Sequence, residues 1–576
     1  MNPSPQDEKQ ASAQEKRLRR VVLLLLVVAT LIHILAYFNR FAVPSSDFFA
    51  FRRDALAYLR LELPENCKRG PTYPLLMGLT SLVMPGEEPE LLAGEIVNLV
   101  LSLVLVYLSY RIATQLLGAA GLAVAFAVAI SPVLMPSATQ PLAEAALAVG
   151  ITLTVYLALR GSTLAYAAAA AASMTRYEAA LLLPLLVVKD LWEHKRLMPT
   201  LLRGAVGSSP VALWFALSLL KKGEVNPYLG EMAKLPPAGL GNLVSCIAVS
   251  FKFLLPFSRR VVAAFVAGAP GTVAMVGALV ALGLVLFGLL RLGKQGTPIG
   301  WLLALFLVGY LLIHTFFWWA IEERYTYVVL WIVFLGITSA VLALPWRQRP
   351  VLSGHAWLAV AAGFLLVAVA GAVLVGLRFG RVIALVYLLF VAAGLIAVLW
   401  PPGKPLKVDA LVLGVLVAAS TLGGVAVTAN DMARLRHYRA PYRVAGEWLR
   451  AHAAQGVHVV SLLPLTVAYY AHIPEHQVRG YFSFPMADCA NFVARLRAGQ
   501  VDYVIWDSQA AVERRTYGNV LHRVDLMRCL FSEDGEAKVP QLSLVVAISV
   551  DHKRLRIFRV EREAETNNRG MWERMQ

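Results

Sequence analysis

The chain of 576 residues is poor in charge: Asp, Glu, Lys and Arg make up 15% of it, against about 25% in soluble domains. That shortage, with a mean hydropathy of +0.63, excludes a soluble globular enzyme and a disordered chain. Cysteine is scarce too. The four residues Cys67, Cys246, Cys489 and Cys529 have no zinc-type spacing with histidine. No convincing internal repeat is found. No small-x-small cleavage site follows the first apolar run, Val21–Tyr37, so that run reads as a retained helix rather than a signal peptide. Nor is there a nucleic-acid recognition motif. The formal charge of +17 instead suits loops and headgroups at a membrane.

What is present is a succession of apolar runs, each long enough to cross a bilayer. After the first come, roughly, Leu91–Leu117, Ala119–Met135, Leu142–Leu159, Thr163–Val188 and Leu201–Leu220. Beyond a long loop come Val261–Leu290, Ile299–Trp319, Tyr325–Leu344, Ala356–Val375, Val382–Leu399 and Val408–Thr428. The run Thr163–Val188 carries Arg176 and Glu178 at its middle, where a charge costs about 2.5–3.5 kcal/mol on the insertion scale. Either one helix buries an Arg–Glu pair, or two short passes turn at Arg176. The turn is favoured. It places Lys189–Arg203, Arg291–Lys294, Arg347–Arg349 and Lys404–Lys407 on the cytoplasmic side, although the basic loop Lys221–Arg260 then falls outside. The expectation is a polytopic α-helical membrane protein of about 13 transmembrane helices, with interfacial helices in the first outer loop.

Residues 1–20 form a polar, basic, disordered cytoplasmic tail, and residues 21–429 the transmembrane domain, with its first outer loop at 40–90. From residue 430 the pattern changes to a small extracytoplasmic α/β domain, polar from 561. Helices are expected at Pro441–Ala454, Asp488–Gly499 and Gln509–Met527. Strands are expected at Val457–Ser461 and Val501–Trp506, with a terminal hairpin of Leu542–Val550 and Leu555–Val560. All four cysteines then fall outside the membrane. That suggests disulfides, with Cys489–Cys529 and Cys67–Cys246 preferred among the three pairings and four unrelated thiols as the alternative.

Spanning lipid does not explain the charges at the outer turns. In the first loop Asp47–Leu63 reads as an interfacial helix, with Phe48, Ala55, Leu56, Leu59 and Leu63 on one broad face, interrupted by Arg52, and Asp47, Phe51, Asp54 and Tyr58 on another. Asp47 precedes it as a candidate catalytic carboxylate, and Asp54 reads as a supporting, structural residue. Lys68-Arg69-Gly70-Pro71-Thr72-Tyr73-Pro74 places two cations before a rigid turn, suited to a lipid phosphate. Glu144 enters an apolar helix, Arg176 and Glu178 lie at the tip of the short hairpin, and Glu322-Glu323-Arg324-Tyr325 forms a late outer turn. Together these residues suit group transfer from a lipid phosphate: a carboxylate takes the acceptor's proton and cations stabilise the departing phosphate. Asp47 and Glu144 could also hold a divalent metal.

These motifs, in this order, resemble the GT-C class of membrane glycosyltransferases. The branch is that of the protein O-mannosyltransferases and the bacterial aminoarabinose transferases of lipid A. The features in common are Asp47, Gly70–Pro74, Glu144, Thr175–Glu178, Arg324-Tyr325 and the terminal α/β domain. The resemblance implies a polyprenyl-phosphate sugar donor and an inverting transfer to a lipid, glycan or protein acceptor. It makes Asp47 the general base or a metal-associated acid, with Glu144 as the second catalytic acid. Lys68, Arg69, Tyr73, Arg176, Arg324 and Tyr325 would bind the donor phosphate, with Asp54, Glu178 and Glu322 on the acceptor side or in support. Asp47 is followed by Phe48 rather than by the Asp-Glu pair of the O-mannosyltransferases, which argues against a protein acceptor. The competing readings are a transporter or flippase of a phosphorylated lipid-linked substrate, which also uses broken helices and intramembrane charge, and a non-catalytic scaffold.

Overall fold

The computed structural model describes residues 5–64, 67–222, 271–295, 298–314, 323–343, 369–399, 408–481, 489–498, 500–508, 529–532, 534–550 and 553–561. Glu322, Cys246 and the expected helix Gln509–Met527 lie outside them, as does the polar tail from 562.

The helices are α1 (Pro5–Leu35), α2 (Ser46–Leu59), α3 (Thr72–Ser81), α4 (Pro89–Leu117), α5 (Gly121–Ile130), α6 (Leu134–Thr139), α7 (Glu144–Leu159), α8 (Leu164–Ser173), α9 (Leu182–His194) and α10 (Leu197–Lys222). There follow α11 (Gly271–Lys294), α12 (Ile299–Ile313), α13 (Glu323–Val341), α14 (Val369–Phe379), α15 (Arg381–Leu399) and α16 (Val408–Arg436). Among the described residues, four segments are long and apolar enough to cross a membrane: Lys16–Leu35, Pro89–Leu117, Leu197–Lys221 and Arg324–Val341. Shorter apolar helices pack around them, and the chain is a multi-span helical membrane protein. α1 begins at Pro5, so residues 5–20 continue the first helix rather than forming the expected disordered tail. Their Ala, Gln, Glu, Lys and Arg are good helix formers.

The chain divides into two compact units, Met1–Asn39 with Asp54–Met432, and Arg40–Arg53 with Ala433–Gln576. In the first, α4 packs against α3, α5 and α7, α7 against α8, and α13 against α5, α7 and α11. The crossing of α11 and α13 is close because both helices present glycine. A Cβ on Gly288 would run into the Gly336 carbonyl, and small residues are what allow such approaches in lipid. The run Thr163–Val188 is broken, as the charge argument expects. α8 stops at Ser173, Arg176 is extended (φ −152°, ψ 137°), and a 3-10 turn, Tyr177–Leu181, leads into α9. Thr163, before α8, and His194, ending α9, line one cavity, so the chain doubles back at Arg176. Ten residues in α8 reach only ~15 Å, which leaves the tip among protein rather than lipid.

The second unit holds α17 (Ala440–His452), α18 (Pro464–Ala471), α19 (Cys489–Arg497) and strands β1 (Val459–Ser461), β2 (Val478–Gly480), β3 (Tyr503–Asp507), β4 (Leu542–Val550) and β5 (Lys553–Val560). The strand order is β2-β1-β3-β5-β4, with β1 parallel to β2 and β3, and β5 antiparallel to β3 and β4. Successive residues of a strand face opposite sides, and both sides are covered. Val504, Trp506 and Phe558 enter one core with Tyr481 and Phe492. Ile505 and Ile557 enter another with Tyr442, Leu449 and Val467. Cys529 is disulfide-bonded, as a Cys489–Cys529 pairing would require. Cys67 differs from expectation: its buried Sγ donates to the Pro64 carbonyl at 3.8 Å, in place of a bridge to Cys246.

Candidate functional site

The first unit gathers charge at the tip between α8 and α9. The Arg176 guanidinium donates from Nη1 to Glu144 Oε1 at 3.1 Å. From Nε and Nη2 it donates to Glu178 Oε1 at 3.1 and 2.8 Å. Arg324 approaches the same Glu144 oxygen through Nε at 3.6 Å. Both guanidiniums lie over the Tyr325 ring, 4.8 and 5.1 Å from its centre. The Glu144 and Glu178 side chains are 2% and 6% exposed and that of Arg176 16%, so the pairs are screened little by water. Four elements contribute: the first turn of α7, the broken hairpin, the end of α12 and the start of α13.

Backbone geometry explains why these groups meet. Asn98 of α4 donates from Nδ2 to the carbonyls of Ser137, Gln140 and Leu142 at 3.1, 2.5 and 2.8 Å. It thereby fixes the loop that delivers Glu144. The extended Arg176 interrupts the helix, so its side chain can turn toward α7. On the far side His314, fully buried, sets Nε2 3.7 Å from Glu178 Oε1. Its ring packs on Tyr310 and Tyr325 at 4.2 and 4.9 Å. His314, Tyr310 and Asn98 are site residues that the sequence reading missed. A lone histidine inside the apolar run Ile299–Trp319 was the available signal, of the same kind that identified Glu144.

The loop of Lys68 and Arg69 is docked against this tip. Tyr177 donates its hydroxyl to the Lys68 carbonyl at 3.2 Å and receives a bond from Trp214 Nε1 at 3.1 Å. Thr72 binds the Met174 carbonyl through its amide at 3.2 Å and the Ala171 carbonyl through its hydroxyl at 3.0 Å. Gly70 has no side chain because none fits: a Cβ there would collide with the Met174 carbonyl. Lys221 of α10 clamps the preceding stretch through the carbonyls of Leu63 and Pro64, at 2.6 and 3.0 Å. The structure therefore brings Glu144, Arg176, Glu178, Arg324 and Tyr325 together, with the Lys68–Arg69 backbone beside the hairpin. Tyr73 is fully buried at the start of α3.

Asp47 falls in the second unit, in the first turn of α2 and half-buried. Within that unit its neighbour Phe49 packs on Tyr469 and Tyr470, with ring centres 5.1 and 6.2 Å apart. Arg53 pairs with Glu475 at 2.9 Å. Asp54 opens the first unit's share of the same helix and is 1% exposed, as are Phe48 and Ala55, with Phe51 at 6%. Both faces of α2 are covered, which corrects the expectation of a surface helix with a solvated polar side. Asp54 and Phe51, assigned to that side, are core residues.

A divalent metal does not fit Glu144 in this arrangement, because two guanidiniums already share its carboxylate. Among the described residues the grouping with metal-ligand geometry is Asp190, Glu193 and His194 on α9. There Lys189 Nζ lies 2.6 Å from Glu193 and Arg203 Nη1 3.4 Å from Asp190, so cations already answer these acids.

These features define a multi-span membrane protein with a buried charged centre. No protein-family model matches the chain, and no curated protein matches it. Among solved structures it is similar to ArnT from Cupriavidus metallidurans in the apo state, at 14% identity and a TM-score of 0.49, over 94% of this chain and 98% of that one. It is also similar to the same protein bound to undecaprenyl phosphate, at 12% identity and a TM-score of 0.49, over 93% and 97%.

Proposed function

We propose that the chain is a membrane glycosyltransferase of the GT-C type that moves a sugar from a polyprenyl-phosphate donor to a lipid or glycan acceptor. The observation that carries this is the buried cluster of Glu144, Arg176, Glu178 and Arg324. Charge inside a helical bundle is costly, and here it is concentrated at one place, next to a docked loop bearing two more cations. Arg176 and Arg324 present two guanidiniums at one place. Arginine's planar fork suits phosphate oxygens. Glu144 and Glu178 hold Arg176 in a fixed orientation, so little reorganisation is needed when a phosphate arrives.

The chemistry is a single displacement with inversion. The acceptor hydroxyl oxygen attacks the anomeric carbon, and the bond from that carbon to the phosphate oxygen breaks. The polyprenyl phosphate leaves with the bonding electron pair and its charge is held by the arginines. The hydroxyl proton passes to the base, a role assigned to Asp47 from its place in the motif order. The site and the C-terminal unit face the extracytoplasmic side, with the N-terminus in the cytoplasm.

The test is transfer from polyprenyl-phosphate sugars in proteoliposomes. Removing a general base costs roughly 10²–10⁴-fold in rate, so Asp47→Asn lowers turnover by that factor. Arg176→Gln weakens donor binding as well. Unchanged transfer in Asp47→Asn refutes the assignment of the base. Net movement of intact donor across the bilayer without sugar transfer favours the flippase reading instead.

A further inference from the structure

The end of α7 opposite Glu144 carries a second basic cluster, built differently from the first. α4 and α7 each end with the same spacing, Tyr107-Leu-Ser-Tyr-Arg111 and Tyr156-Leu-Ala-Leu-Arg160. On a helix, residues four apart share a face, so each arginine lies beside its own tyrosine. Arg111 sits over the Tyr107 ring at 5.6 Å and donates to the Tyr107 hydroxyl at 2.5 Å. It also reaches across to Tyr156 of the neighbouring helix at 5.7 Å, and Arg160 lies over that same ring at 5.2 Å. Two guanidiniums from two helices thus share one aromatic ring.

Unlike Arg176 and Arg324, these arginines meet no carboxylate among the described residues. Nor are their side chains engaged in capping the helix ends. The Leu157 and Ala158 carbonyls accept from the amides of Arg160 and Gly161, and the Leu159 carbonyl accepts from Gln115 Nε2 at 3.4 Å. Arg160 is exposed and Arg111 half-exposed, beside the exposed turn Gly161–Thr163. Contact with the tyrosine rings positions the guanidiniums, and N–H groups other than Arg111 Nη1 face outward for a ligand. Arg111 lies six residues before the last of α4, about 9 Å along the axis.

We infer that Arg111 and Arg160, held over Tyr107 and Tyr156, bind the phosphodiester headgroup of an anionic membrane lipid at the end of the bundle opposite Glu144. The two guanidiniums supply charge-assisted donors to the phosphate oxygens, and the Tyr156 hydroxyl a further one. Two apolar helices beside the site accommodate the acyl chains.

Native mass spectrometry of the full chain, released from micelles doped with phosphatidylglycerol or phosphatidylcholine, tests this. Wild type retains one phosphatidylglycerol in preference to phosphatidylcholine. Each guanidinium is expected to contribute about fivefold at an anionic surface, so Arg111→Gln with Arg160→Gln lowers the preference by roughly 10–30-fold. The control Lys195→Gln with Arg196→Gln, at the same end of the bundle, leaves it unchanged. Equal loss in the control overturns the inference, since any surface cation would then serve. So does the absence of a preference in wild type, which decides the matter even where the double variant does not fold. Displacement of the lipid by millimolar inorganic phosphate, with phosphate taking its place in the spectrum, identifies a soluble-anion site and overturns the lipid assignment.

Discussion

Replacing Arg176 by methionine keeps the apolar stem and removes the guanidinium from between Glu144 and Glu178. Three hydrogen bonds are lost, at 2.8, 3.1 and 3.1 Å. Charged hydrogen bonds contribute about 1.5–3 kcal/mol each, but the loss is smaller than their sum. Glu144 keeps Arg324 at 3.6 Å and Glu178 keeps His314 at 3.7 Å. Removing one partner of a buried pair costs about 3–5 kcal/mol, and the lower half of that range is expected here. Glu178→Gln alone costs less, because its amide oxygen still accepts from Arg176. In the double variant no charged Glu178 is left behind, so the two changes together cost less than their sum by about 1.5–3 kcal/mol. Thermal unfolding in nanodiscs, followed by tryptophan fluorescence, gives the three values. Additivity within ~0.5 kcal/mol would refute the reasoning, since Arg176 and Glu178 would then not be an energetic unit.

Gly70→Ala drives a methyl into the Met174 carbonyl and is expected to destabilise by about 1–3 kcal/mol. Proteolysis between residues 60 and 72 then becomes faster than in wild type. Asn98→Leu leaves three carbonyls before Glu144 without their donor, at about 1–3 kcal/mol for each that water does not reach. Its thermal midpoint falls further than that of a surface Asn→Leu control. In the second unit Tyr481 donates to the Ile505 carbonyl at 2.8 Å, and burial, with the nearby Asp507 charge, pushes its hydroxyl well above the usual tyrosine range. The folded unit therefore keeps a proton that the unfolded chain gives up near pH 10. Stability is full below that pH and falls as pH rises above it. Tyr481→Phe is less stable at neutral pH and shows a shallower alkaline decline in a pH series of chemical unfolding.

The helical runs were legible because lipid imposes length and apolarity. The break at Arg176 was legible because two charges at mid-run cannot face hydrocarbon. The same rule marks Glu144, which enters an apolar helix, whereas Arg324 stands out by its place at an outer turn. Their mutual geometry was not legible: Arg176 and Glu144 are 32 residues apart, and Arg324 is far downstream. α18 is short, and β2, with the exposed Arg479 at its centre, lacks the continuous apolar character that marks the equally short β1. The burial of Asp54 was missed for a different reason. A helical wheel shows which residues share a face, but not whether a second element covers it.

The division of α2 also bears on synthesis. Its first half, with Asp47, packs within the unit that begins again at Ala433, about 380 residues later in the chain. At roughly 5–20 residues per second, Phe49 waits about 20–80 s after leaving the ribosome before Tyr469 exists to receive it. Over that interval segment 40–53 is a nascent loop without its packing partner, exposed to chaperones and proteases. A ribosome stalled before α18 therefore leaves Asp47 unseated, however completely the membrane helices have inserted.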